Sequence, residues 1–224
     1  MNEVIKKRGR PKKIDRNKVI KKALKLYWEK GVENVSMTTI ANSAKIPRVS
    51  LYDEFGGEKE LLMECLNLYK EKFKMPLLLG IDESADLPSV LKILFFGLIY
   101  DGNFNWDELK FKISDSQDDI LRPKFAPGCF YIRTKNMTNK LYETHQQYIY
   151  LYDHELERRL ALCIETAKKN GIAFSHLDAL KTAEFINSQL SLMQTLRSTK
   201  ASEEKMIDTY KFILSVIMPK KYHL

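Results

Sequence analysis

A chain of 224 residues with 44% hydrophobic content can bury a sizeable core, which excludes wholesale disorder, and its length suits one large domain or a small domain joined to a larger one. The three cysteines, Cys65, Cys129 and Cys163, are odd in number and lack CxxC spacing, which argues against a disulfide framework or a zinc site and for a reducing compartment. The formal net charge of +8 is unevenly placed: residues 1–55 hold 14 Lys and Arg against 6 Asp and Glu, whereas residues 56–224 hold 23 against 23.

Residues 1–13, MNEVIKKRGRPKK, have charges with no apolar block behind them, so neither a secretory signal nor a membrane anchor is expected. The longest apolar run, Ile93 to Tyr100, is far short of the ~20 residues that cross a bilayer, and a soluble, cytoplasmic protein is expected. The first 13 residues read as a disordered basic arm. Within it Arg8-Gly9-Arg10-Pro11 resembles the AT-hook core, in which Arg8 and Arg10 follow the negative potential of a narrow A·T minor groove. A solvated tail loosely attracted to phosphate is the plainer reading.

Almost every patterned segment beyond the arm has helical period, and the breaks carry Gly, Pro or Asp clusters, which predicts an all-α protein. The first helix is capped by Asp15, stapled by Ile14 and Val19 and stopped at Gly31 in a left-handed turn; Ile20, Ala23, Leu24, Tyr27 and Trp28 form its apolar face. Ser36 caps the next helix, with Val35 and Ile40 as its staple. The stretch TTIANSAKIPRVSLYDEFG, residues 38–56, then places Ile40, Ala41 and Ala44 at helical intervals, Ile46 in a turn, and Val49, Leu51, Tyr52 and Phe55 on a second short helix. Helices of about two turns cannot stand alone. Pro47 suits the first turn of the second one, and Arg48 projects from that N-terminal end, the end that meets base edges in helix-turn-helix proteins. A helical hairpin in a bundle core has the same pattern, but the basic excess confined to this quarter of the chain is what phosphate binding requires. A fourth helix from about Glu58 to Phe73, with Leu61, Leu62, Cys65, Leu66, Leu68 and Tyr69 inward, supports the small unit and runs on into the larger one. The domains expected are a helix-turn-helix unit over 14–57 and a helical ligand-binding and dimerisation domain over 58–224.

Further helices are predicted over Leu87–Tyr100, near Phe104–Ile113, and at about Asn139–Lys169, Leu177–Arg197 and Glu203–Ile217, with a polar break at Asp115–Asp119 and a cap-like start at Ser175 and Asp178.

Residues 9–73 resemble a TetR-type transcriptional regulator in the Gly-Arg-Pro start, Leu26-Tyr27-Trp28 and Gly31, Thr39-Ile40-Ala41, Ser50-Leu51-Tyr52, Phe55-Gly56 and Leu61-Leu62; Gly128-Cys129 resembles a helix start in one subgroup of that family. The resemblance implies that Arg48, Val49 and Ser50 face the major groove, that Tyr52 bonds a phosphate, and that Thr38 and Thr39 contact the backbone. Each role suits the chemistry, since Arg can take a guanine edge in two bonds, Val49 can touch a thymine methyl and hydroxyls reach phosphate oxygens. Three departures mark this chain. Lys45 replaces the turn Gly, the Glu58-Lys59 order moves the phosphate-binding ammonium to Lys59, and Asp53 and Glu54 lie beside the recognition surface.

The resemblance also implies an inducer pocket in the aromatic region of Phe95, Phe96, Tyr100, Phe104, Trp106, Phe111, Cys129 and Phe130, although aromatics at helical spacing also build cores. Cys129 reads as inert packing unless Arg133, one turn on, lowers its pKa. Homodimerisation is implied through residues 177–197 and 203–217, where Phe185, Leu190, Leu192, Met193, Leu196, Met206, Tyr210, Ile213 and Ile217 form stripes that could equally serve the protomer's own core. The expected function is a repressor released from a palindromic double-stranded DNA operator by a small-molecule inducer; an architectural, A·T-preferring DNA-binding protein without an effector is the alternative. No cofactor, metal or catalytic residue is expected, because His145, His154, His176 and His223 share no ligand spacing and no nucleophile elbow or phosphate loop is present.

Overall fold

The computed structural model describes residues 14–100, 128–136 and 141–223. The predicted arm with Arg8 and Arg10, the segment with Phe104, Trp106 and Phe111, and the Asp115–Asp119 break lie outside the described residues. Among the described residues the chain forms ten α-helices and no strand, and no helix is long and apolar enough to cross a membrane.

Helix α1 (Arg16–Lys30) starts where the Asp15 carboxylate accepts from Lys18 N at 3.0 Å, and it buries Val19, Ile20, Ala23, Leu24, Tyr27 and Trp28. Gly31 ends it at φ 88°, ψ 146°, so the chain leaves extended rather than in the expected left-handed turn; the following turn over Val32–Asn34, closed by Asn34 N donating to Gly31 O, needs that exit. Helices α2 (Met37–Ala44) and α3 (Arg48–Phe55) follow, and α4 (Glu58–Tyr69) packs along α1. Leu24, Ile40, Leu51, Leu61 and Leu62 are buried between these helices, each contributing ~1.5–3 kcal/mol by leaving water.

The fourth helix does not run unbroken to Phe73. It passes through a π turn at Lys70–Lys74 into α5 (Met75–Leu79). Pro76 has no N–H for the Lys72 carbonyl and its ring would meet that carbonyl in a regular helix, so the hydrogen-bond ladder shifts just upstream.

The larger unit consists of α6 (Leu87–Ile99), α7 (Phe130–Lys135), α8 (Glu143–Lys169), α9 (Ala179–Ser198) and α10 (Glu203–Ile217). Helix α9 is central: α8 packs along it, and α6, α7 and α10 also touch it. Two predicted starts move inward. Leu141 and Tyr142 precede α8 outside the helix, and α9 is capped by Asp178 alone, whose carboxylate accepts from Lys181 N at 2.9 Å; the chain before it is used by a turn from Phe174 to Leu177, which leaves Ser175 no capping role.

Candidate nucleic-acid interface and its junction with the helical domain

Ser36 Oγ accepts from Thr39 N at 3.2 Å and lies 3.0 Å from Thr39 Oγ1, so Thr39 is tied into the α2 cap while Thr38 remains exposed. At the other end Lys45 adopts φ 57°, ψ 45°, the left-handed conformation that a glycine takes most easily. Its N–H and that of Ile46 satisfy the last carbonyls of α2, and Lys22 Nζ donates to Ser43 O at 2.6 Å. That turn delivers Pro47 with φ −60°, one residue ahead of α3, and α3 then divides cleanly. Leu51 and Phe55 are buried, whereas Arg48 is exposed, Ser50 half-buried, Val49 72% exposed and Tyr52 37% exposed. Arg48 Nη2 donates to Tyr52 Oη at 3.3 Å and the guanidinium lies 5.3 Å from that ring's centroid, so the two groups are held on one patch.

Of the two acidic residues beside this patch, Glu54 is turned away. Arg16 takes its carboxylate at 3.2 Å and its carbonyl at 2.8 Å, reaches Glu64 at 2.7 Å and covers the Phe55 ring at 4.4 Å. This arginine ties α1 to α3 and α4, a role with no signal in the sequence beyond its place after the Asp15 cap. Asp53 is exposed. Lys59 is half-buried, with its ammonium 5.4 Å from the Tyr142 ring centroid and its carbonyl bonded to His145 Nε2 at 2.9 Å. The start of α8 thus rests on the first turn of α4. His145 is fully buried, and burial, opposed by its bond to Lys59, holds its imidazole pKa below the ordinary range.

A second tie is built on Gly128-Cys129-Phe130. Trp28 Nε1 donates to Gly128 O at 2.9 Å, Cys129 N donates to Gln194 Oε1 at 2.8 Å, and Phe130 N donates to Tyr69 Oη at 3.3 Å. Tyr69 Oη in turn lies 3.5 Å from Cys129 Sγ, and Tyr131 Oη donates to Leu66 O at 3.0 Å. Around these bonds the rings of Trp28, Tyr69, Phe73, Phe130 and Tyr131 pack edge to face or tilted at 5.0–6.4 Å. Gly128 has φ +79°, and a Cβ there would collide with Gln194 Oε1. Arg133, expected beside Cys129, instead donates to the carbonyls of Trp28 and Glu29 at the end of α1. The cation near Cys129 is the buried Lys74, whose ammonium also lies 5.1 Å from the Tyr152 ring centroid. Cys65 and Cys163 are buried, and burial pushes the Cys163 thiol up to about 12, so both are packing residues.

The described candidates for an inducer pocket fall into two groups. Phe95, Phe96 and Tyr100 cluster with Tyr210 of α10, at 5.2–5.4 Å between centroids, whereas Cys129 and Phe130 belong to the junction around Tyr69. Among the described residues a cleft of about 640 Å³ lies between α7, α8 and α9, and its described lining does not include Phe95, Phe96, Tyr100, Cys129 or Phe130.

The sequence of residues 19–65, which spans the Arg48–Tyr52 patch, matches the family model described as bacterial regulatory proteins, tetR family. The match places a tetR-type DNA-binding segment at the start of the chain. The HTH-type transcriptional repressor ComR of Escherichia coli (strain K12) is 36% identical over 70 residues, a segment covering 31% of this chain and 33% of that protein. Likeness of fold extends much further. A cysteine mutant of the TetR family transcriptional regulator CifR, complexed with 26-bp double-strand operator DNA, superposes with a TM-score of 0.70 at 18% identity, covering 94% of this chain and 100% of that one. Reduced E. coli NemR gives 0.69 at 12% identity, over 92% and 98% of the two chains. The fold seen in these structures therefore extends through the helical domain, at low sequence identity.

Proposed function

We propose that this protein is a TetR-type, ligand-responsive transcriptional repressor that binds a pseudo-palindromic operator as a homodimer and releases it when a small molecule binds the helical domain. One observation carries the reading: α3 buries Leu51 and Phe55 and leaves Arg48, Val49 and Tyr52 exposed, with Ser50 half-buried beside them, in the basic quarter of the chain. Thr38 supplies a free hydroxyl at the start of α2 for the phosphate backbone, and Thr39 contributes through the Ser36 cap. Lys59 reaches phosphate only by leaving the Tyr142 ring, which costs about 0.5–1 kcal/mol at an exposed site. Arg8 and Arg10 add a minor-groove contact from the arm. CifR bound to operator DNA supports this mode over the architectural alternative.

The stripes expected to join two copies mostly serve the protomer. Leu190, Met193, Met206, Tyr210, Ile213 and Ile217 are buried within it, while Leu180, Leu192, Phe212 and Val216 remain exposed on α9 and α10. Those four supply the apolar contacts of a two-fold interface through residues 177–197 and 203–217.

The test is footprinting on DNA beside the protein's own gene, followed by anisotropy titrations of the protected site and a scrambled control at physiological salt. Arg48→Ala lowers discrimination between the two by about 5- to 150-fold, the value of ~1–3 kcal/mol for one bidentate base contact. Tyr52→Phe weakens both more uniformly. Equal affinity of the wild type for both sequences refutes the proposal, and binding that follows A·T content without a palindrome establishes the architectural alternative.

A further inference from the structure

The cleft between α7, α8 and α9 has a floor of Leu141 and Ile149, an aromatic wall and an acidic rim. The wall is Tyr150, 61% exposed, with its ring edge to face against His154 at 4.0 Å between centroids. Among the described residues three carboxylates line the cleft, those of Asp153, Glu157 and Glu184, against one ammonium, that of Lys135. Lys135 is spent on Asp153, to which it forms a salt bridge.

Glu157 decides the chemistry. Its side chain is only 14% exposed, and among the described residues its partners are the Asn187 amide, which donates at 2.7 Å, and His154 Nδ1 at 3.5 Å. No lysine or arginine among the described residues pairs with it. A carboxylate mostly removed from water and without a lysine or arginine partner gains from an incoming positive charge, and the Tyr150 ring in the same cleft adds a second cation-stabilising surface. A metal ion does not suit the geometry, because among the described residues no three His, Cys, Asp or Glu side chains converge on one point. The apolar floor asks for carbon beside the charge. A volume of about 640 Å³ lies within the usual range of roughly 300–1,000 Å³ for small-molecule sites.

We infer that this cleft binds an organic cation with an apolar body, an alkyl- or aryl-substituted ammonium, whose charge sits between Glu157, Glu184 and the Tyr150 ring. Its role as the inducer rests on the repressor reading above; its binding does not. The cation would bridge α8 and α9, and because the first turn of α8 rests on α4 through His145 and Lys59, a shift of α8 reaches the helix that carries the DNA-binding unit.

Isothermal titration calorimetry on the full chain tests the site with benzyltrimethylammonium, benzyl alcohol and benzoate, which share a ring and differ in charge. The ammonium is expected to bind at least tenfold more tightly than the alcohol, with benzoate weakest. Glu157→Gln, which keeps size and a hydrogen-bonding group, lowers ammonium affinity about tenfold and leaves the alcohol unchanged. Should that variant fail to fold, Glu184→Gln on the exposed rim is expected to lower ammonium affinity selectively, and a silent result there overturns the site. Equal binding of all three probes, or no loss of ammonium affinity in the folded Glu157→Gln protein, also overturns it. Operator affinity measured without any probe separates the two readings: operator binding with no ammonium binding refutes the cleft alone, and ammonium binding without operator preference upholds the cleft and refutes the repressor.

Discussion

Gly128→Ala is the substitution whose cost can be built up most fully from the structure. At φ +79° an L-residue is disfavoured by ~1–2 kcal/mol. The new methyl would also collide with Gln194 Oε1, the atom that accepts from Cys129 N at 2.8 Å, and Gln194 is 1% exposed with no open space in which to turn. Displacing it breaks the part-buried bond from Cys129 N, which adds ~1–3 kcal/mol. The sum is a loss of about 2–5 kcal/mol, read as a lower urea midpoint at unchanged slope. A double-mutant cycle isolates the collision: Gln194→Ala removes the struck atom and forfeits the same hydrogen bond, so the double variant is less destabilised than the two single losses added together, by about 1–2 kcal/mol. Strict additivity, or a Gly128→Ala protein within about 0.5 kcal/mol of wild type, refutes the claim that Gly128 is required by close approach to α9.

Lys45→Gly relieves a left-handed residue at a cost in unfolded-chain entropy, ~1–2 against ~0.5–1 kcal/mol, and is expected to raise stability by about 0.5–1 kcal/mol in the same urea assay; Lys45→Val lowers it. Phe212→Glu places a charge on the exposed α10 face and is expected to convert a dimer into a monomer in analytical ultracentrifugation without lowering the protomer's helix content. His145 carries a pH signature. Because burial depresses its pKa below the ordinary 6.5, the unfolded chain binds the proton more readily, so the wild type loses stability as pH falls from about 6.5 toward the lower folded value and gains nothing above it. His145→Gln, which can still donate to Lys59 O, is expected to flatten that part of the stability profile, and a parallel loss in both proteins between about pH 7 and 5 counts against the assignment.

The recognition unit was legible because its signals are local. Asp15, Ser36 and Pro47 punctuate helices within a few residues of themselves, and the Leu51/Phe55 spacing divides α3 into its two faces without help from the rest of the chain. The π turn was not read, although Pro76 announces a break, because periodicity alone does not say whether a ladder stops or shifts. The stripes of α9 and α10 were open between the protomer's core and a partner for another reason: a helix at the centre of a bundle is apolar on several sides, and only packing shows that Leu190 and Met193 face inward while Leu192 does not. Glu54 stayed ambiguous from sequence because its partner, Arg16, lies 38 residues away. The cleft carboxylates left no motif at all, since Glu157 and Asn187 meet only when α8 and α9 pack side by side.

The two ties between the DNA-binding unit and the helical domain differ in kind, and the difference bears on how a signal could pass. Around Gly128 the contact is a close-packed set of rings with backbone hydrogen bonds to Trp28, Tyr69 and Gln194, and such a core has few intermediate positions. At Lys59 it is one hydrogen bond from a buried imidazole and one ammonium over a ring, contacts that can break one at a time. Rotation of α4 about the Trp28–Tyr69 cluster would therefore open the His145 end first, swinging the start of α4, and α3 just before it, while the aromatic core stays closed. On this mechanism weakening the His145 tie changes inducer response without abolishing the fold, whereas Gly128→Ala damages both. Comparing operator release by the same ligand in His145→Ala, which cannot reach Lys59 O, and Gly128→Ala proteins separates a pivot from a hinge: equal loss of response relative to stability in the two variants refutes the pivot.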